Sequence, residues 1–291
     1  MRNRFIKKLT EAAVNNDRIV LIVGDLGYNV VEEFQNKFPD RFYNAGISEQ
    51  NMASMAAGLA SEGFHVFIYS IANFPTFRCA EQIRNDISYL NLPVTIVTVG
   101  GGLSYGSLGY SHHAVQDIGL IRLFPEMKLL TPGDPNQVEL CLNYILENPQ
   151  PSYLRLKKNG ENNFDELITN IEDGEWICVK KGSSNKTFLT VSGGLKYAMK
   201  AIESEKYENY SVHCMPVWSM TSKTKQDSQA NSFEEIVTIE DHLLDGGFGS
   251  WLLEATNVNN RQKIHIKALS QEIIGKVGDE EYLNKIGGIQ I

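Results

Sequence analysis

The chain has 291 residues, 42% of them hydrophobic and 21% charged, proportions that suit a globular protein with room for two domains of roughly 100–200 residues each. Its net charge of −8 argues against a general nucleic-acid or anionic-membrane surface, because a counter-ion-releasing basic face is missing. No basic-then-apolar leader opens the chain, no apolar run approaches the ~20 residues of a membrane span, and the four dispersed cysteines form no CxxC pair, so free thiols in a reducing cytoplasm are expected.

Residues 2–16 read as a helix with Phe5, Leu9, Ala12 and Ala13 on one stripe. RIVLIVGDLG (18–27) is a continuous apolar run ending in Gly-Asp-Leu-Gly, which suits a strand buried on both faces. FYNAG (42–46) predicts a short strand leading into a helix capped by Ser48 or Asn44. Met52, Met55, Ala56 and Leu59 follow at helical spacing, and Gly63 provides the stop. FHVFIYS (64–70) and PVTIVTV (93–99) read as strands around a helix FRCAEQIRNDISYL (77–90). MKLLTP (127–132) and PSYLRL (151–156) read as strands around the helix PNQVELCLNYILE (135–147). The stretch 158–183 is charged, carries only the weak strand WICVKKG, and reads as a linker. Alternation then restarts, with TFLTVSGG, SVHCMPVW, EEIVTIED and KIHIKAL as strands and LKYAMKAIES and GGFGSWLLEATN as helices. The expected fold is α/β with two doubly wound domains, a mainly parallel one over 1–157 and a smaller one over 184–291.

Several residues stand out chemically. Glu49 opens a helix of small residues, where it is either a first-turn charge favoured by the helix dipole or a buried acid–base group that needs a partner. Phe74 and Phe77 follow a strand's carboxyl end, as core aromatics or as flanks for a planar ring. Glycines at 100, 101, 102, 106 and 109 make a loop able to approach something closely, without the strand context of a dinucleotide fingerprint. His112 and His113 follow it; they are structural or contact a polar substrate, and their spacing is not that of a metal site. Arg155, Lys157 and Lys158 end a strand, where they meet a phosphate or form a solvated face. Gly246, Gly247 and Gly249 precede a helix, as an anion cradle or a tight turn.

Four stretches, in order and over nearly the whole chain, resemble the C-terminal half of a transketolase: RFYNAGISEQNMASMAAGLASEG, FPTFRCAEQIRNDISYLNLPVTIVTVGGG, SHHAVQDIGLIRLFPEMKLLTPGDPNQV and TIEDH…GGFGS. The resemblance implies a pyrimidine-binding domain followed by a transketolase C-terminal domain. It implies that Glu49 hydrogen-bonds N1′ of the thiamine diphosphate aminopyrimidine, favouring the tautomer that takes the C2 proton. It also implies that Phe74 and Phe77 pack on that ring, with Arg78 close by and Asp25 among the cofactor contacts. His112 falls on the family's active-site histidine, with His113 beside it, and Lys158 falls where related chains carry a phosphate-binding arginine.

Departures accompany the likeness: Leu108 stands where the family's hydroxyl-reading Asp is expected, and Gly100-Gly101-Gly102 replace its polar loop start. Nothing resembles the Gly-Asp-Gly…Asn segment that holds Mg2+ or Ca2+ and the diphosphate. The expectation is therefore one subunit of a split cytoplasmic enzyme of carbohydrate metabolism, inactive alone. A diphosphate-binding N-terminal-half partner would complete it as an α2β2 heterotetramer, with a small sugar substrate and no nucleic-acid or membrane partner. The expected reaction is transfer of a two-carbon ketol unit from a ketose to an aldose. The alternatives are a 1-deoxyxylulose-5-phosphate-synthase-like activity, a 2-oxoacid dehydrogenase β-subunit activity, and a non-catalytic partner subunit.

Overall fold

A computed structural model describes residues 1–158, 162–164 and 168–290 of the chain. Residues 159–161 and 165–167 of the expected linker, and residue 291 of the second expected domain, lie outside the described residues. The first sheet contains β1 (Ile19–Val23), β2 (Phe42–Asn44), β3 (His65–Ile71), β4 (Val94–Val99), β5 (Lys128–Leu130) and β6 (Ser152–Leu156). The second contains β7 (Ile177–Lys180), β8 (Lys186–Thr190), β9 (Ser211–Cys214), β11 (Glu235–Leu243) and β12 (Ile264–Leu269), while β10 (Val217–Trp218) crosses over to the first sheet. The orders are β10-β5-β6-β4-β3-β1-β2 and β12-β11-β8-β9-β7. Only the edge strands β10 and β7 pair antiparallel; the rest is parallel. All five residues of β1 are buried, as its unbroken apolar run requires of a central parallel strand.

Three local expectations change. SVHCMPVW is not one strand: its first half lies in the second sheet, and after Met215-Pro216 its second half closes the edge of the first. Pro216 lacks the N–H a continuing ladder needs, and its carbonyl accepts instead from Thr131 N. The stretch WICVKKG, read within the linker, supplies β7 and pairs with β9. The helix expected over 77–90 is instead a series of helical turns, Asn73–Phe77, Ala80–Gln82 and a π segment Ile83–Ser88, broken at Cys79 where φ is −121°.

One core serves both sheets. Met52, Ala53, Ala56 and Ala60 of helix Glu49–Ser61 pack on Val20, Ile22 and Ile68, and the same cluster runs on to Trp218, Phe248 and Trp251. Trp218 and Trp251 meet edge-on at 5.0 Å, and the Trp218 indole N–H donates to Thr131 Oγ1 at 3.0 Å. Helices Arg2–Asn15 and Pro135–Glu147 cover the other face of the first sheet through Phe5, Leu9, Val138 and Leu142.

Arg155 and Lys157 are consumed by this junction, which overturns their reading as phosphate ligands. Arg155 is fully buried and donates to Asp117 Oδ2 at 2.8 Å, Asp241 Oδ1 at 2.6 Å and Ser192 Oγ at 2.8 Å. Lys157 pairs with Asp241 Oδ2 at 3.0 Å and with Glu280. Burial works against the Asp241 charge, yet Arg155 and Lys157 hold its carboxyl well below the usual range. These cations fill the crevice beyond β8 and β11, the carboxyl-end position where an open α/β sheet ordinarily takes a ligand.

Candidate active site

The site forms where β1, β2 and β3 end. Glu49 begins helix Glu49–Ser61 and is 4% exposed. Ser48 makes no side-chain cap, and Asn44 is occupied elsewhere: its Oδ1 accepts from Asp25 N at 3.1 Å and Gly46 N at 2.9 Å. The helix is packed through Met52, Ala53, Ala56 and Ala60 and open on its other side. Asn51, Ser54, Gly58 and Ser61 form an exposed face of small side chains.

Glu49 Oε1 accepts from Arg78 Nη1 at 2.7 Å. The Arg78 guanidinium lies 4.1 Å over the Phe74 ring, and Phe74 meets the His112 imidazole edge-on at 5.3 Å. His112 in turn faces Tyr105 at 6.2 Å, and Lys158 Nζ sits 4.9 Å over the Tyr105 ring. One unbroken path of contacts thus joins Glu49, Arg78, Phe74, His112, Tyr105 and Lys158, residues spread over more than a hundred positions of sequence. Beside Glu49 a concavity of about 460 Å³ is lined by Ile47, Ser48, Glu49, Gln50, Asn51 and Arg78.

The other expected residues are placed differently. Phe77 is 46% exposed at the end of its helical turn, apart from the Phe74–His112 contact. His113 is buried, its Nε2 hydrogen-bonded to Gly106 O at 3.1 Å, so it holds the loop from below and does not face the opening with His112. Asp25 occupies a strained backbone with φ of +54°, and its Oδ1 accepts from Asn44 Nδ2 at 3.0 Å and Tyr28 OH at 3.2 Å. Burial, together with the charges of His113 and Arg78, lowers the His112 pKa from its ordinary value. Burial first, then the Glu49 charge, pushes the Cys79 thiol up to about 12, which removes it as a nucleophile.

The glycine loop packs against the chain's own clamp. A Cβ on Gly101 would stand 2.9 Å from Arg155 Cζ, and one on Gly102, where φ is +68°, would stand 2.5 Å from Asp241 Oδ2. Gly247 likewise has no room beside Glu240, whose carboxyl oxygens accept from Phe248 N and Gly249 N, so the acceptor in that turn is internal. Sequence reasoning missed Arg2 and Tyr105. The Nε of Arg2 is buried with no hydrogen-bond partner among the described residues, and its charge acts on Tyr69 and Tyr105. An arginine that opens an amphipathic helix gives no sequence signal of such a location.

Residues 1–161 match the family model of the transketolase pyrimidine-binding domain. The chain belongs to the transketolase pyrimidine-binding family. It is similar to a protein of Methanocaldococcus jannaschii provisionally named a transketolase C-terminal section, with 29% identity over 99% of this chain and 92% of that one. It is similar also to one of the subunits of the apulose-4-phosphate transketolase of Phocaeicola vulgatus, with 28% identity over 89% and 84% of the two chains. The 1-deoxy-D-xylulose-5-phosphate synthase of Clostridium perfringens is 30% identical over 98% of this chain, which spans 46% of that enzyme. Among solved structures, a split-gene transketolase described as an inactive β4 tetramer superposes with a TM-score of 0.84, at 27% identity over 99% of this chain and 93% of that one. The transketolase of Campylobacter jejuni shares the fold, with a TM-score of 0.82 at 16% identity over 99% of this chain and 45% of that one. The chain thus corresponds to the C-terminal half of a split transketolase, and the family implies dependence on thiamine diphosphate.

Proposed function

We propose that this chain is the pyrimidine-binding subunit of a two-chain transketolase that moves a two-carbon ketol unit from a ketose to an aldose. The carrying observation is Glu49, a carboxylate almost wholly buried at the edge of an open concavity, with a half-exposed arginine as its ionic partner. Such a group fits a heteroaromatic nitrogen with which it can share a proton, and Phe74 and Phe77 offer aromatic faces for the ring. Thiamine diphosphate, when bound, supplies the electron sink that C2–C3 cleavage of a ketose requires. Glu49 would hold the proton at the ring nitrogen, His112 would hydrogen-bond a reacting oxygen, and Lys158 with Arg2 would receive an anionic group beside Tyr105. Asp25 would support the cofactor loop and His113 the histidine loop.

The domain division follows the same reading: pyrimidine-binding over 1–157, then a linker that ends before β7, and a C-terminal domain that starts with β7 at Ile177 instead of at 184. Metal and diphosphate ligands are assigned to a separate N-terminal-half subunit, with two copies of each chain in the assembly. Tyr28, Tyr43, Ile47 and Phe77, all exposed around the strand ends, supply the apolar surface for it. The split relatives, one named as a C-terminal section and the other as a single subunit of its transketolase, support this arrangement. The test is reconstitution with such a subunit, thiamine diphosphate and Mg2+, feeding a ketose phosphate with an aldose, and separately pyruvate with an aldehyde phosphate. A two-carbon-extended ketose from the first mixture is expected. A deoxyketose from the second would transfer the chain to the synthase reading, and no product from either would leave it a non-catalytic subunit.

A further inference from the structure

The helical turn Asn73–Phe77 starts just beyond β3 and grips the histidine loop in two ways. Phe74 touches the His112 ring, as described. Asn73, which the path of contacts from Glu49 to Lys158 does not include, acts on the backbone. Its Nδ2 donates to Ser111 O and to His113 O, each at 3.0 Å, the carbonyls on either side of His112. The Ala114 N–H, which would close the next turn onto Ser111, goes to Gly102 O. A single side-chain amide therefore secures both flanks of the residue whose imidazole lies at the opening.

We infer that Asn73 is a positioning residue for His112, fixing the backbone before and after it so that the ring stays against Phe74 at the mouth of the Glu49 site. The chemistry demands an amide. An –NH2 group carries two hydrogens, one for each carbonyl; a hydroxyl carries one, and a carboxylate carries none. Aspartate has the shape of asparagine but would set a negative oxygen against two carbonyl oxygens. The expected order of loop fixation is thus Asn, then Ser, then Ala, then Asp, whereas a space-filling role would place Asp beside Asn and Ala last. The consequence for turnover rests on His112 serving the reaction as proposed; the placement of the loop does not.

The experiment reads the imidazole directly. Full-length chain labelled with 15N-histidine is compared as wild type, Asn73→Ala, Asn73→Ser and Asn73→Asp, with His112→Gln assigning the resonance. In the wild type, His112 gives one set of signals that titrate below 6.5, its ordinary value. In Asn73→Ala the His112 signals broaden or split and titrate closer to 6.5, while buried His242 and half-buried His213 keep their positions as controls of the fold. Unchanged His112 signals in both the Ala and Asp variants, or an Asp variant that matches wild type, would overturn the inference. In the reconstituted enzyme, Asn73→Ala is expected to lose roughly tenfold to a hundredfold in kcat at unchanged cofactor affinity, the scale set by a misplaced group of about 1 Å. If His112→Ala turns over normally while the Asn73 variants still displace the ring, the catalytic reading of His112 fails and the positioning role stands.

Discussion

Glu49 and Arg78 form an asymmetric pair: the carboxylate is 4% exposed and the guanidinium 46%. Arg78 can turn into solvent whereas Glu49 has nowhere to go, so parting them with nothing in the guanidinium's place leaves a buried carboxylate unpaired, at a cost of up to about 3–5 kcal/mol. A ligand donor that entered the concavity would have to take over that role as the arginine left, with the acid staying in place. Replacement by glutamine keeps the shape and removes the proton acceptor. In the reconstituted enzyme, Glu49→Gln should lower kcat by about 10²–10⁴-fold. The thermal midpoint should move by a few degrees at most, as loss of ~1 kcal/mol implies at this size. Equal turnover, measured by ketose formation, would remove Glu49 from the chemistry. This residue was legible in sequence because a lone acid among small residues is anomalous. Asn73 and Arg2 were not, since an asparagine after a strand and an arginine in a first turn are ordinary until the fold brings a loop to one and a tyrosine to the other.

Among the elements, the glycine turn before helix Phe248–Ala255 shows where a motif misleads. Glycines ahead of a helix are compatible with an external anion, yet the chain fills that turn with its own acceptor, the Glu240 carboxyl. Burial pushes that carboxyl up to about 8, against the Gly249 and Phe248 N–H donors that favour the anion and with Asp241 adding to the rise. The sign follows from linkage. The folded-state value lies above the unfolded one near 4.5, so the folded chain binds more protons through that interval. Its contribution is complete below the unfolded value and is lost as pH rises through 8, with a slope of at most about 1.4 kcal/mol per pH unit. Chemical denaturation of the wild type between pH 5 and 9 should therefore show falling stability. Glu240→Gln should be less stable at pH 5 but nearly flat across the series, because its amide cannot ionise and puts an NH2 in place of one of the two oxygens that accept from Phe248 N and Gly249 N. Parallel profiles would assign the pH dependence to another group. The strand pattern was legible because buried parallel strands write themselves as apolar runs. The split of SVHCMPVW was not, because both halves are apolar and only the partner strand tells them apart.

Across the whole molecule, periodicity correctly indicated two sheets, but it gave no sign of how far they depend on each other. Three features bind them. Trp218 leaves the second sheet's sequence to close the edge of the first at β5, pairing with Leu129. Its indole belongs to the same core as Val20 and Ile68. Arg155 and Lys157, carried by the first sheet's sequence, find their carboxylates on Asp241 and Glu280 of the second. A fragment of residues 1–161, the span matched by the family model, would lose all three. It would expose the β5 edge and uncover Arg155, which keeps Asp117 but loses Asp241 and Ser192. The unpaired edge and the lost burial of Trp218 weigh against a net stability of only ~5–15 kcal/mol, typical of a folded protein. The fragment should bind a hydrophobic dye and lack the near-ultraviolet circular dichroism of fixed aromatic side chains, while the full chain unfolds in one transition. A fragment that melts sharply with a native-like aromatic spectrum would show that the first sheet stands alone and that the junction only docks two independent bodies.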